Sequence, residues 1–139
     1  MKKIEIFTDG SCNLHSDRSG GYCAILRYRD SKKIVKGGEK SSTNNRMELK
    51  AVIEGLKTLK ESYEVTIISD SKYVVDGINL YIERWADKDF KKVKNRDLWR
   101  EYFDIKSGHR VKAQWVKSHS GHVINEQCDR IAKEEALKG

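Results

Sequence analysis

Apolar positions along this chain come in two rhythms. Ile4 to Thr8 is a short, mostly apolar run, and Tyr22 to Tyr28 and Lys33 to Lys40 are two more, the last thinned by Gly37 and Gly38. Together they predict an antiparallel meander. From Thr43 the rhythm changes: Leu49, Val52, Ile53, Leu56 and Leu59 recur at helical spacing, with Thr43 or Asn44 available as the N-cap. A helix of about four turns is predicted there. Val65 to Ser69 is apolar and β-branched almost throughout, which predicts a central strand covered on both faces, whereas Val111 to Val116 alternates as an edge strand does. Asn95 to Lys106 and Asn125 to Leu137 predict two more helices, the second with Cys128, Ile131 and Ala132 inward and Lys133, Glu134 and Lys138 outward. The order β-β-β-α-β-α-β-α predicts an α/β fold, a five-stranded mixed sheet flanked by helices, with the antiparallel meander first and parallel strands after it.

Composition narrows this picture. A chain of 139 residues, 37% hydrophobic, is expected to be a single domain over residues 1–139 that buries a core without cross-links. Three cysteines, Cys12, Cys23 and Cys128, are an odd number without C-x-x-C spacing and fit reduced, intracellular thiols. After Met1, Lys2 and Lys3 the apolar run is short and broken by Glu5, so neither a signal peptide nor a bilayer span is expected, and a cytoplasmic location is. A net charge of +7 and a pI near 9.3 imply a polyanionic partner, although charge alone does not separate nucleic acid from an anionic membrane. No repeat, low-complexity tract or linker interrupts the chain.

Two of the apolar strands end in a carboxylate, "IEIFTDG" in Asp9 and "VTIISDS" in Asp70. If those strands lie parallel and adjacent, both acids reach the carboxyl edge of the sheet, where open α/β sheets bind ligands. Either Asp alone reads equally well as a turn or cap residue, with Ser71 opening a helix. Side by side they bring like charges together, which raises a pKa or calls for a cation between them. Glu48 adds a third acid near the start of the first long helix, one position from its apolar face.

"DGS" at Asp9, "TNNRMEL" around Glu48, "SDSKYV" at Asp70 and "VKSHSGHVINEQCDRIA" ending beyond Asp129 occur in the order and approximate spacing of type 1 ribonuclease H. The chain resembles that family from Ile4 to Ala132. The resemblance implies a ribonuclease H-like fold and an endonuclease that cuts the RNA strand of RNA–DNA hybrids, leaving 5′-phosphate and 3′-hydroxyl ends. It implies Asp9, Glu48, Asp70 and Asp129 as ligands of two Mg²⁺ ions, with Mn²⁺ a substitute. In the family's mechanism one ion presents the attacking water and the other stabilises the leaving oxygen. By resemblance Asp9 bridges both ions, Asp70 lies on the attacking-water side, and Glu48 and Asp129 complete the shell. Hard cations with oxygen ligands suit such a set independently.

His119, first in the "SHSGH" loop, matches the family's auxiliary histidine for proton transfer or product release, work suited to imidazole. Zinc is discounted for His119 and His122, since no cysteine or third clustered histidine accompanies them. His15 and His109 carry no motif. Cys12, Asn44 and Asn45 match positions lining the hybrid's minor groove, where 2′-hydroxyls mark the RNA strand. Thr43 and Asn95 match the pocket that grips a DNA phosphate, while helix capping competes for Thr43 and Asn44. Trp85, Lys91, Lys92, Lys94 and the neighbouring Lys88, Phe90 and Arg96 stand where bacterial members carry a basic protrusion, and are expected to hold phosphates and sugars. Tyr73 and Tyr81 are expected to pack.

The chain departs from the family in a proline-free "NLHSDRS" loop, in Ser41 where relatives often carry Arg, in Lys72 where they often carry Gln, and in a shortened basic segment. These departures bear on affinity, not on the four acids. Integrases and transposases share strand-end acids but carry further domains. A ribonuclease H domain of a reverse transcriptase would perform the same cleavage. A catalytically inactive hybrid-binding module would keep Thr43, Asn44, Asn45 and the lysines without needing all four acids. A monomer is expected, since no apolar stripe calls for a partner.

Overall fold

The computed structural model describes residues 1–14 and 19–138, so His15 and most of the proline-free loop lie outside the described residues. Strands β1 (Lys2–Asn13), β2 (Ser19–Tyr28) and β3 (Ser31–Glu39) form the antiparallel meander. β4 (Tyr63–Ser69) and β5 (Arg110–Trp115) join in parallel to give the order β3-β2-β1-β4-β5. The Val65 to Ser69 strand is interior, as its apolar run implies, but the middle position belongs to β1, which pairs antiparallel on one side and parallel on the other.

Alternation along the strands divides the core into two layers. Ile4, Ile6, Ala24, Leu26, Val65 and Ile67 meet helix α1 (Asn44–Lys57), whereas Phe7, Cys23, Ile25 and Ile68 face a helix at Val123–Leu137 on the opposite side. Leu49, Val52, Ile53 and Leu56 of α1 are buried, each contributing about 1.5–3 kcal/mol. Thr43 is the N-cap, its hydroxyl accepting from Arg46 N at 3.2 Å. Leu59 lies just past the helix end and is partly buried.

Between β4 and the helix at Arg96–Lys106 the sequence reading is incomplete. A helical stretch runs from Lys72 to Asp87 as α2 (Lys72–Asp76), a π-helical turn (Gly77–Tyr81) and α3 (Ile82–Asp87). Ser71 does open it, accepting from Val74 N at 3.2 Å. The π turn disturbs the 3.6-residue rhythm, so Leu80 and Tyr81, 62% and 38% exposed, fall off the buried face and hide the helix from periodicity. Gly77 is needed here, because a Cβ would lie 2.2 Å from the Trp99 ring. The same turn presents Asn79 to β5: its amide donates to Ala113 O at 2.8 Å and accepts from Ala113 N at 2.9 Å.

The remaining helices are α4 (Arg96–Lys106) and α5 (Val123–Leu137), the latter starting two residues earlier than the pattern implies. Cys128 and Ala132 are buried and Ile131 partly so. Cys23 and Cys128 are buried thiols, with Cys128 Sγ donating to Cys23 O at 3.1 Å.

Candidate active site

Register brings the first two carboxylates together. β1 and β4 pair in parallel up to Phe7 opposite Ile68, and two residues further along each strand stand Asp9 and Asp70. Gly10 then lets α1 settle on β1: a Cβ at this position would lie 2.3 Å from Glu48 N and 2.4 Å from Met47 C. That approach delivers Glu48, on the first turns of α1, to Asp9, which lies within β1 and not at its end as the apolar run implies, because the strand continues to Asn13 paired with β2. Asp9, Glu48 and Asp70 each offer a carboxylate oxygen within 4.8 Å of the others.

The cluster is electrostatically costly as it stands. Asp9 is 5% exposed and its carboxyl is pushed up to about 7, first by burial and then by the charges of Asp70 and Asp129. Glu48 is raised well above the ordinary carboxylate range by burial, by the charges of Asp9 and Asp70, and by a hydrogen bond with Asp9. For Asp9 this is opposed by a hydrogen bond with Glu48 and by Gly10 N, which donates to Asp9 Oδ1 at 2.9 Å. Glu48 Oε1 is enclosed and has no partner. Three converging oxygens, one of them orphaned, with no sulfur or imidazole among them, fit a hard divalent cation.

Asp129 stands across the same shallow cleft, which Asp9, Asp70, His119 and Asn125 also line. It is outside the 4.8 Å group, and Lys133 Nζ lies 3.1 Å from its Oδ2. It lies two turns into α5 and not near the helix N-terminus, so a dipole contact there does not account for it. His119 is exposed on the loop between β5 and α5, with a left-handed φ of 54°. The sequence reading missed three neighbours of this cleft. Ser118 Oγ donates to Asp70 Oδ2 at 2.6 Å, Trp115 Nε1 donates to Asp70 O at 3.1 Å, and Asn125 Oδ1 is buried without a partner. His122 packs its ring on Phe7 at 5.3 Å, and His109 accepts from Tyr63 N at 3.1 Å, its pKa lowered by burial. Neither joins a metal cluster among the described residues.

Residues expected to meet substrate fall into two groups. Thr43, Asn44 and Asn45 are exposed at the start of α1, and Cys12 lies nearby, its thiol donating to Ser42 O at 3.4 Å. Asn95 belongs with them through Arg46, whose guanidinium donates to Asn95 Oδ1 at 3.4 Å. Arg46, unassigned by the sequence reading although it sits inside "TNNRMEL", is held by both oxygens of Asp97 at 3.0 and 2.9 Å and by Glu39 at 3.2 Å. Those partners push its pKa further up and hold the Glu39 and Asp97 carboxyls down.

The basic segment forms the second group. Lys88, Lys91, Lys92 and Lys94 border a groove of about 360 Å³ with Trp85 and Tyr73. Asp89, Phe90, Lys92 and Asn95 all have positive φ, between 53° and 61°, each costing about 1 kcal/mol or more. Phe90 corrects the sequence reading: it is buried against Phe103 and anchors the turn from below. Tyr73 is more than packing, its hydroxyl accepting from Trp99 Nε1 at 2.9 Å and Asn95 Nδ2 at 3.0 Å. Tyr81 packs at a tilt on Trp85 at 5.6 Å, and Trp85 meets Trp99 edge to face at 5.1 Å.

Comparison with known proteins is consistent across sequence and structure. The family model described as RNase H matches residues 1–137. The chain is 53% identical over 138 residues to a ribonuclease H of Helicobacter acinonychis, covering 99% of this chain and 96% of that protein. It is 52% identical over 138 residues to a ribonuclease HI of Campylobacter jejuni, covering 99% and 94%. Among solved structures, LC9-RNase H1, a type 1 RNase H with the type 2 active-site motif, superposes with a TM-score of 0.88 at 28% identity over 99% of this chain and 74% of that one. A foamy viral protease-reverse transcriptase in complex with an RNA/DNA hybrid shares the fold, with a TM-score of 0.86 at 17% identity over 99% of this chain and 20% of that one.

Proposed function

Because the chain belongs to the ribonuclease H family, we propose that Asp9, Glu48, Asp70 and Asp129 hold two Mg²⁺ ions and that cleavage takes place where the parallel pairing of β1 with β4 ends. The activity is that of a metal-dependent endoribonuclease acting on the RNA strand of RNA–DNA hybrids. The observation that carries the site reading is the convergence of Asp9, Glu48 and Asp70 within 4.8 Å, with Glu48 Oε1 buried and unpartnered. Bound there, divalent cations supply Lewis acidity for the attacking water and the leaving 3′-oxygen, with Mn²⁺ able to replace Mg²⁺.

The protein's own groups supply the rest. Asp9, Glu48 and Asp70 would hold the ions from the β1, β4 and α1 side, and Asp129 would close the cleft from the α5 side. Burial raises Asp9 and Glu48, so binding of a cation there would be coupled to loss of protons from the cluster. His119, exposed at the mouth, exchanges a proton with the departing product. Thr43 and Asn95 grip a DNA phosphate, Cys12, Asn44 and Asn45 read sugar edges in the minor groove, and Trp85, Lys91, Lys92 and Lys94 hold backbone further along. Products carry 5′-phosphate and 3′-hydroxyl ends.

The reading extends to a single-domain cytoplasmic monomer. Buried, reduced Cys23 and Cys128 support the compartment, and among the described residues no helix is long and apolar enough to cross a membrane.

The test presents one labelled sequence as RNA–DNA hybrid, double-stranded RNA, single-stranded RNA and double-stranded DNA, each with Mg²⁺, Mn²⁺ or EDTA. Cutting confined to the RNA strand of the hybrid and lost in EDTA is expected. Tight hybrid binding without cleavage in either metal would instead make the chain a binding module.

A further inference from the structure

Asp70 is tied to an element outside the acidic cluster. Its Oδ2 accepts from Ser118 Oγ at 2.6 Å, and its backbone carbonyl accepts from Trp115 Nε1 at 3.1 Å. Both donors belong to the end of β5 and the loop that follows, a segment rooted beside Asp70 because Val116 N donates to Ser69 O at 2.9 Å. The loop therefore starts on the β4–β5 ladder, touches the Asp70 carboxylate one residue before His119, and turns away through left-handed His119 and Gly121. A carboxylate at a strand end has two free torsions, and an unclamped one samples orientations that face solvent as readily as the metal cleft. A short hydroxyl–carboxylate bond removes that freedom.

We propose that Ser118 is a positioning residue: its hydroxyl fixes the Asp70 carboxylate in the orientation that faces Asp9 and Glu48, and so sets the affinity of the site for Mg²⁺. The inference rests on the reading of Asp70 as a metal ligand. The same bond ties the base of the His119 loop to the cleft, so the loop and the ligand are oriented together.

The test titrates Mg²⁺ alone into metal-free protein, by calorimetry and by the rise in melting temperature, for wild type, Ser118→Ala, Ser118→Gly, Ser118→Thr and Asp70→Asn. Ser118→Ala and Ser118→Gly are expected to raise the Mg²⁺ midpoint about tenfold, and Ser118→Thr, which keeps the hydroxyl, to restore it. In hybrid cleavage the Ala variant should lose kcat at limiting Mg²⁺, regain it as Mg²⁺ is raised, and keep its KM for hybrid. A merely structural role would lower the melting temperature without metal and would not be rescued by excess Mg²⁺. An Ala variant with an unchanged midpoint, or with a lower one because the hydroxyl only competed with the ion, overturns the inference. Asp70→Asn separates the two levels: if it still binds Mg²⁺ like wild type, the metal-site reading itself is wrong, whereas its loss alongside a normal Ser118→Ala leaves that reading standing.

Discussion

The carboxylate cluster and the lysine-rich turn are built by opposite means. Asp9 and Asp70 are placed by backbone register, and Glu48 by a helix that rests on Gly10 with no room for a Cβ. The turn from Lys88 to Asn95 has no ladder to hold it; four left-handed residues are stabilised by buried Phe90, by Trp85 O accepting from Phe90 N at 2.7 Å, and by Arg100 donating to Asp89 O at 3.1 Å. One region spends folding energy to hold like charges together, and the other spends it to hold a shape. On the proposed reading, chemistry is thereby tied to the core of the sheet, and affinity to a surface element that can change without disturbing it.

The largest effect should come from the cluster itself. Asp70→Asn or Asp9→Asn is expected to lower cleavage by about a thousandfold or more while hybrid binding survives. Cleavage at the wild-type rate by either variant would end the distinction between the two regions. Next in size is Gly10→Ala, which pushes α1 away from β1. A stability loss of about 3 kcal/mol is expected, with cleavage impaired even where the variant is folded, measured by urea unfolding beside a single-turnover assay.

The turn should respond differently. Replacing Lys91, Lys92 and Lys94 together by Ala is expected to raise KM about tenfold at moderate salt, to flatten the dependence of log KM on log salt by about two, and to spare kcat. A fall in kcat without a change in salt slope would mean that the turn shapes the active site directly.

The smallest effect is one of pH. Asp9 has its folded pKa raised from 3.8 to about 7, so its contribution to stability is fully present below the unfolded value and is lost as pH rises through about 7. In EDTA the melting temperature should therefore drift down between pH 4 and 7, Mg²⁺ should raise it more at pH 8 than at pH 5, and Asp9→Asn should flatten the drift. Below that window the lowered carboxyls of Glu39 and Asp97 act in the opposite direction, losing their ion pairs with Arg46 as they take up protons.

The parts legible in the sequence were those in which one periodicity ran unbroken. Ile4 to Thr8, Val65 to Ser69 and the α1 stripe revealed two strands, a helix and Asp70 at a strand end, because burial on a sheet or helix face repeats at a fixed spacing, whereas β1 runs on past Asp9 to Asn13 where its apolar run has stopped. The stretch from Lys72 to Asp87 stayed hidden because the π turn shifts its phase at Gly77. Phe90 looked like part of an exposed basic run because its burial depends on backbone angles that no local pattern announces. Ser118, Trp115 and Arg46 matter through contacts 48, 45 and 51 residues away, which no window of sequence contains.

Asn79 has a consequence outside catalysis. A sheet ends in backbone that is free to recruit another chain, and β5 is such an end. By bonding both the N–H and the C=O of Ala113, the Asn79 amide stands in for one residue of a sixth strand, with exposed Arg110 and Lys112 preceding it along β5. At the other margin β3 carries Lys32, Lys33 and Lys36. Both margins are thus guarded against edge-to-edge aggregation, one by a borrowed amide and the other by charge.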